Sequence, residues 1–431
     1  MTSKANGEYG EPKTSGHHPV RLKIRGAGYF SRIGPGIVTG AADDDPSGIG
    51  TYSQVGAQFG YRFLWAAPIL LPFAFAIQET CARLALVTGQ GLARVIKRRM
   101  PNWVLIVTVF LVALANTVNI AADLSSMAAV VTMFIPISQL FAVAIIAILV
   151  GAAEILIPYH QYARVLRWLC LSLLSYIAVL VVANVDWQQV VTGLTQINIG
   201  WNRFDIAAII AIAGTTISPY LFFWQAAEEI EESGQAPDTS QSHIKAMRGD
   251  VLVGMLSGVF VMFAIMTTTA ATLNAKGITE ITSPEQAALA LAPIAGDAAG
   301  VIFALGILGT GLLAVPVLAG STAYAVSEAM GWHESLERKP SQAKQFYAVI
   351  AVSMGIAVAL NFIGINPMRS LVVAALLNGL TAPILMSIIW WLARDKQLLG
   401  EHASPWWSSL LVGVGAIAMA ALPVLWLFAP A

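Results

Sequence analysis

Three consecutive carboxylates and a proline, Asp43-Asp44-Asp45-Pro46, interrupt an otherwise apolar stretch that begins Gly34-Pro35-Gly36-Ile37-Val38-Thr39-Gly40. An ionised carboxylate at the centre of a bilayer costs about 3 kcal/mol or more unless it is paired or hydrated. A proline there frees a backbone carbonyl that lipid cannot satisfy. Membrane segments carry both defects together where they line a wet cavity, and the chemistry this suits is cation binding. The carboxylates supply charge, unwound backbone near 43–47 supplies carbonyl oxygens, and half-helix ends add partial charges. A second interruption repeats the design. Gly214-Thr215-Thr216-Ile217-Ser218-Pro219-Tyr220 sets small residues and a polar patch before a proline half-way through another apolar run. Pro46 and Pro219 lie about five spans apart. Paired breaks at matching places in two halves point to the binding site of an inverted-repeat transporter. Taken alone, Pro219 reads equally well as a kink in a packed helix.

The elements that carry these breaks are membrane spans. Of 431 residues, 57% are hydrophobic and only 11% charged, against about 25% charged in soluble domains, so the chain is an all-α polytopic membrane protein. At about 20 apolar residues per span, eleven runs emerge, roughly 33–58, 61–86, 101–128, 138–158, 164–185, 205–230, 249–273, 299–330, 347–364, 369–394 and 406–429. Residues 1–32 are polar, end basic, and lack the apolar core and cleavage site of a signal peptide. They are expected to form a disordered cytoplasmic tail. With the N-terminus inside, all but four of the 24 lysines and arginines (Arg62, Arg203, Lys276 and Arg369) fall on the inner side, as the positive-inside rule requires. The C-terminus is then outside, and the membrane is expected to be the cell (inner) membrane. Zero formal charge argues against a nucleic-acid partner. Cys81 and Cys170 lie in apolar runs and suggest neither a disulfide nor a thiolate metal cage. No cofactor is indicated, and oligomeric state is not encoded.

Other polar residues fall inside or beside spans. Glu79 and Arg83 are spaced for a local ion pair. Glu154 and Glu328 lie near inner ends, where they can snorkel or pair with loop arginines. The acidic run Glu228-Glu229-Ile230-Glu231-Glu232 after the sixth span reads as a solvated helix end or as an electrostatic funnel for departing cations. Trp65, Trp103, Trp187, Trp201, Trp406 and Trp407 fit interfacial anchoring, whereas Trp390-Trp391 fits packing.

The motif Asp45-Pro46-Ser47-Gly48, with Thr51 and Gln54-Val55-Gly56-Ala57-Gln58-Phe59-Gly60-Tyr61, resembles the first-helix signature of the natural-resistance-associated macrophage protein (NRAMP) family. Residues 214–220 resemble its sixth-helix signature, and Val87-Thr88-Gly89-Gln90-Gly91-Leu92-Ala93 its loop after the second helix. The resemblance covers most of the chain. It implies the leucine-transporter (LeuT-like) fold, with an inverted 5+5 repeat and broken first and sixth helices. Repeat one would span about 33–185 and repeat two about 205–394, with an extra helix at about 406–429, all within a transporter domain of 33–431. The implied substrate is a divalent metal cation.

The departures from that family decide which cation is expected. Family members hold the ion with the aspartate and asparagine of the first motif, a sixth-helix carbonyl and a methionine sulfur. By resemblance Asp45 is the aspartate and Thr215 the carbonyl donor, while Gly48 stands at the asparagine position and Ser218 at the methionine. A thioether favours transition metals, and oxygen-only surroundings suit hard ions such as Mg²⁺. Smaller residues at both positions are expected to enlarge the cavity for a hydrated ion. Tyr220 replaces the histidine of proton-coupled members, Asn116 and Ser126 replace acids, and the ninth span has no arginine. Asp123 remains as a proton relay or as a buried hydrogen-bonded acid. This pattern is similar to the NRAMP-related magnesium transporters. The expected machinery is Asp45 as principal charge, Asp44 as a second carboxylate, Gly48 in the first motif, and Thr215 and Ser218 opposite. Asp123, Tyr220 and Asn378 would line the ion or proton path, with Pro46 and Pro219 at the breaks. Mg²⁺ or Mn²⁺ passage by alternating access, weakly or not proton-coupled, follows. A same-fold amine or amino-acid transporter and a non-transporting sensor or scaffold are the alternatives. An intramembrane protease is disfavoured because the acids share one segment.

Overall fold

The computed structural model describes residues 35–157, 173–233, 239–333, 336 and 340–430, and every regular element among them is helical. The expected tail lies outside the described residues, as does the start of the fifth span with Arg164, Arg167 and Cys170.

The first span is two helices, α1 (Pro35–Asp43) and α2 (Pro46–Phe59), separated by Asp44 and Asp45. Local chemistry accounts for the break. Asp45 has an extended backbone (φ −65°, ψ 170°), its side chain accepts the Gly48 N–H, and Pro46 opens α2. Aspartate is a strong N-cap, and proline suits the first helical position because its missing N–H would have had no helical partner. Asp45 is therefore a cap as well as a buried charge.

There follow α3 (Ala66–Thr88), the short α4 (Leu92–Arg99), α5 (Asn102–Thr132), α6 (Gln139–Leu156) and α7 (Leu174–Val182). The sixth span is again divided, into α8 (Arg203–Thr216) and α9 (Pro219–Ser233). The chain continues through α10 (Gln241–Thr272), α11 (Ala299–Met330), α12 (Lys344–Leu360), α13 (Pro367–Ala393) and α14 (Trp406–Phe428). Among the described residues, nine helical stretches are long and apolar enough to cross a membrane. They coincide with the expected spans other than the first, which is broken and charged, and the fifth, of which α7 is the described part.

Packing is reciprocal about the breaks. α2 lies on α10 as α9 lies on α3, and α5 runs against α11. Exchanging the two halves maps each pair onto its counterpart, which is the relation inverted repeats produce. Glycines let α1 approach α10 closely: a Cβ on Gly36 would meet the Val251 backbone at 2.6 Å, and Gly40 abuts Gly254. Small residues permit such approach where water supplies no driving force.

Several expectations resolve at the ends of the spans. Glu79 pairs with Arg83 as expected, and also with Arg248 at 2.8 Å. Glu328 neither snorkels nor hangs free. Its carboxylate accepts the Ala93 and Arg94 N–H groups at 2.9 and 3.2 Å, capping α4. Glu154 is buried, with neither oxygen partnered among the described residues. The acidic run is not a loop, because α9 continues through it and buries Glu228 and Glu229. Glu231 accepts the Tyr324 hydroxyl at 2.6 Å and the Leu336 N–H at 3.2 Å. Glu228 and Glu229 are therefore not a solvated helix end. Trp65 is buried beside Phe63 rather than interfacial. Of the Trp390-Trp391 pair, Trp390 donates to Ser409 Oγ at 3.0 Å, while Trp391 is about half exposed.

Candidate cation site

Asp45 is 1% exposed. Its Oδ1 accepts the Ser47 hydroxyl and the Gly48 N–H, both at 2.7 Å. Its Oδ2 accepts the Asn119 amide from α5 at 2.8 Å. These donors fix the direction of the carboxylate at the break. Asn119 also reaches Asp123 Oδ2, one turn further along α5, at 3.4 Å. Its own Oδ1 accepts from Asn378 of α13 at 3.4 Å. Asp45, Asn119, Asp123 and Asn378 thus form one buried polar network.

The second break faces the first. α8 ends at Thr216, and the Ser218 hydroxyl folds back to donate to the carbonyls of Thr215 (2.8 Å) and Gly214 (3.2 Å). The following Pro219 disfavours helix at Ser218, and the hydroxyl serves the carbonyls that the break leaves over. The two expected oxygen donors, Thr215 and Ser218, are therefore side by side. Ser47, which binds Asp45, lies 3.4 Å from Thr215 Oγ1. Tyr220 donates to the Ala42 carbonyl at 2.8 Å and ties α9 to the last turn of α1. Tyr52 of α2 meets Thr216 Oγ1 at 3.0 Å, and behind it stands the Met262 sulfur at 3.4 Å from the same oxygen.

Asp45, Thr215, Ser218, Asp123, Tyr220 and Asn378 are all buried around these breaks. Asp44 occupies the break itself and is 5% exposed. Gly48 departs from expectation. A Cβ there would lie 3.3 Å from the Asp43 carbonyl and Tyr52 Cε2 and 3.4 Å from Thr215 Oγ1. The room vacated by a larger side chain is filled, so no enlarged cavity exists at that position. The three acids also diverge: Asp45 turns to α5 and Asp43 to α10. Among the described residues no three acidic, histidine or cysteine side chains converge to hold an ion.

Sequence reasoning missed Asn119, Tyr52 and Thr216. A signal for Asn119 existed, because Asn116, Asn119 and Asp123 repeat at i, i+3 and i+7 on one face of an apolar helix. Asn116 instead fastens α5 to α11, donating to Leu318 O (3.2 Å) and Thr322 Oγ1 (3.0 Å). Two clefts flank the network. One of about 390 Å³ includes Thr51, Gln54, Arg203 and Trp426 in its wall. The other, of about 140 Å³, includes Gln90, Arg94, Glu231, Tyr324 and Glu328.

Residues 36–429 match the family described as natural resistance-associated macrophage protein-like. The chain belongs to this family. It is 26% identical over 426 residues to the divalent metal cation transporter MntH of Agrobacterium fabrum, covering 95% of this chain and 90% of that one. It is 29% identical over 293 residues to MntH of Yersinia pestis, covering 66% of this chain and 69% of the relative. These relatives are named as transporters, not enzymes. In three dimensions it is similar to the manganese transporter of Eremococcus coleocola, with a TM-score of 0.72, 16% identity, and coverage of 93% and 88% of the two chains. It is also similar to Mhp1, a nucleobase-cation-symport-1 family transporter, with a TM-score of 0.60, 11% identity and 92% coverage of each chain. At these identities the likeness concerns the fold. The protein is an integral membrane protein with the LeuT-like architecture, broken in its first and sixth helices.

Proposed function

We propose that this NRAMP-family protein moves a divalent metal cation across the membrane by alternating access, favouring Mg²⁺ or Mn²⁺, with weak or no proton coupling. One observation carries the reading. Buried Asp45 sits at a helix break, one hydroxyl away from an opposing break that offers Thr215 and Ser218 oxygens. Oxygen donors suit hard cations, whereas sulfur draws softer ones. Among the described residues, the Met262 sulfur accepts a hydrogen bond from Thr216 Oγ1 and stands behind it. The names of the MntH relatives and of the manganese transporter support a divalent metal as cargo. Asp44 adds charge at the break, and Asn378 approaches through Asn119.

Tyr220 supports the coupling assignment, because a phenol, with an ordinary pKa of about 10, does not take up and release a proton near neutrality as an imidazole does. The orientation that fits the lysine and arginine distribution places the N-terminus in the cytoplasm and the C-terminus outside the cell (inner) membrane. The repeats would divide at about 33–185 and 205–394, with α14 appended. Reconstituted flux of Mg²⁺, Mn²⁺, Ca²⁺ and Cd²⁺, with luminal pH followed, tests this directly. Mn²⁺ or Mg²⁺ uptake without acidification is expected, and Cd²⁺ preference with acidification would overturn it.

A further inference from the structure

A groove lies between the second half of the first span and the first half of the sixth. It encloses about 390 Å³, within the range of about 300–1,000 Å³ that small-molecule pockets occupy. α2, α8, α13 and α14 all contribute to its wall. Val55, Phe59, Phe204, Ala207, Val372 and Leu376 make that wall chiefly apolar. Gln54, also in the wall, has both ends of its amide engaged. Its Nε2 donates to the Thr279 carbonyl at 3.0 Å, and its Oε1 accepts the Ile281 N–H at 2.9 Å.

Among the described residues that line the groove, Arg203 alone is charged. Its Nε donates to the Ala429 carbonyl at 3.1 Å, and its guanidinium lies over the Trp426 ring, 5.5 Å from the centroid. These contacts hold the guanidinium in place without neutralising it. The acid nearest in sequence, Asp205, pairs instead with Arg62. No carboxylate meets Arg203 among the described residues. Arg203 opens α8, and Trp201 and Phe204 are exposed beside it. Aromatic rings gather at headgroup depth, where arginine also places its charge. A guanidinium grips phosphate through two N–H groups at once, and basic pockets between membrane helices take anionic lipid headgroups.

We propose that this groove binds an anionic phospholipid, with its phosphate on the Arg203 guanidinium and part of an acyl chain along the apolar wall of α2 and α8. The occupant would touch one half of each broken span. Lipid composition would thereby act on the two elements that meet at the breaks. In the orientation proposed above, the lipid comes from the outer leaflet. Nothing in the inference depends on which cation passes.

Native mass spectrometry of the delipidated full-length chain in detergent tests it. The titrants are phosphatidylglycerol and phosphatidylcholine with the same acyl chains, with inorganic phosphate as competitor. Wild type is expected to bind phosphatidylglycerol at about tenfold lower concentration. Arg203→Gln should abolish that preference, and Ala207→Phe, which fills the groove, should weaken binding of both lipids. Lys276→Gln, in the turn after α10, should change neither. Equal binding of the two lipids by wild type, a preference that survives Arg203→Gln, or wild-type binding by Ala207→Phe would overturn the site. Displacement of phosphatidylglycerol by an equal concentration of inorganic phosphate would overturn the lipid assignment. Arg203 is exposed, so Arg203→Gln decides the outcome even where the filled groove fails to fold.

Discussion

The Asn119 amide donates to Asp45 Oδ2 at 2.8 Å, fastening the third span to the break in the first. Asn119 also accepts from Asn378, so one side chain links α2, α5 and α13. Hydrogen bonds to charged groups contribute about 1.5–3 kcal/mol. Asn119→Leu removes this one and releases Asp45 from its orientation. The apparent KM for Mn²⁺ uptake should rise about tenfold or more, with Asn119→Gln recovering part of the loss. A change in Vmax alone, with KM unmoved, would show that Asn119 does not position Asp45.

Ser218 occupies the position at which a thioether would draw softer metals. Ser218→Met places a sulfur beside the Thr215 carbonyl, in a site where Ser218 Oγ now sits 2.8 Å from that oxygen. Uptake of Cd²⁺ relative to Mg²⁺ should increase by about tenfold, equivalent to 1.4 kcal/mol. Competition assays at equal ion concentrations measure it, and an unchanged ratio would separate position 218 from selectivity.

Glu79 is fully buried and pairs with both Arg83 and Arg248. Glu79→Ala leaves Arg83 buried without its partner, a change that costs about 3–5 kcal/mol. A clearly lowered thermal unfolding midpoint in detergent is expected. A midpoint equal to wild type would mean that the two arginines find other acceptors.

How far the sequence carried these conclusions varies with the range of the interaction. The breaks at Pro46 and Pro219 were legible because proline and its neighbours act locally; Asp45 was legible as a charge, and its capping of α2 emerged only with the backbone conformation. The spans were legible because an apolar run of that length has few alternatives. Directions of consecutive side chains in an unwound turn follow no period, so the divergence of Asp43 and Asp45 was invisible. So was the filling of the space at Gly48, which depends on Tyr52 and Thr215 meeting there. The acidic run misled for a similar reason, since the partners of Glu231, Tyr324 and Leu336, lie some hundred residues further along.

Asp395, in the turn after α13, gives a pH signature outside the spans. Partial burial pushes its carboxyl up. Hydrogen bonds from Arg99 and from the Gln397 and Leu398 N–H groups outweigh that and hold it below the usual carboxylate range. A depressed folded-state pKa contributes stability above the unfolded value of about 3.9 and loses it as pH falls through the folded one. Wild type should exceed Asp395→Asn in thermal stability by a steady margin from about pH 5 to 8, with the margin shrinking below about pH 4. A margin that vanishes near pH 6 would assign the effect elsewhere.

The most direct measurement is divalent cation uptake by proteoliposomes containing wild type or Asp45→Asn. The substitution keeps the size of the side chain and removes the charge that α2, Ser47 and Asn119 hold in place. Mn²⁺ and Mg²⁺ uptake should fall by about a hundredfold, equivalent to nearly 3 kcal/mol, at an equal amount of folded protein in the vesicles. Uptake at the wild-type rate would contradict cation passage through the break at Asp45.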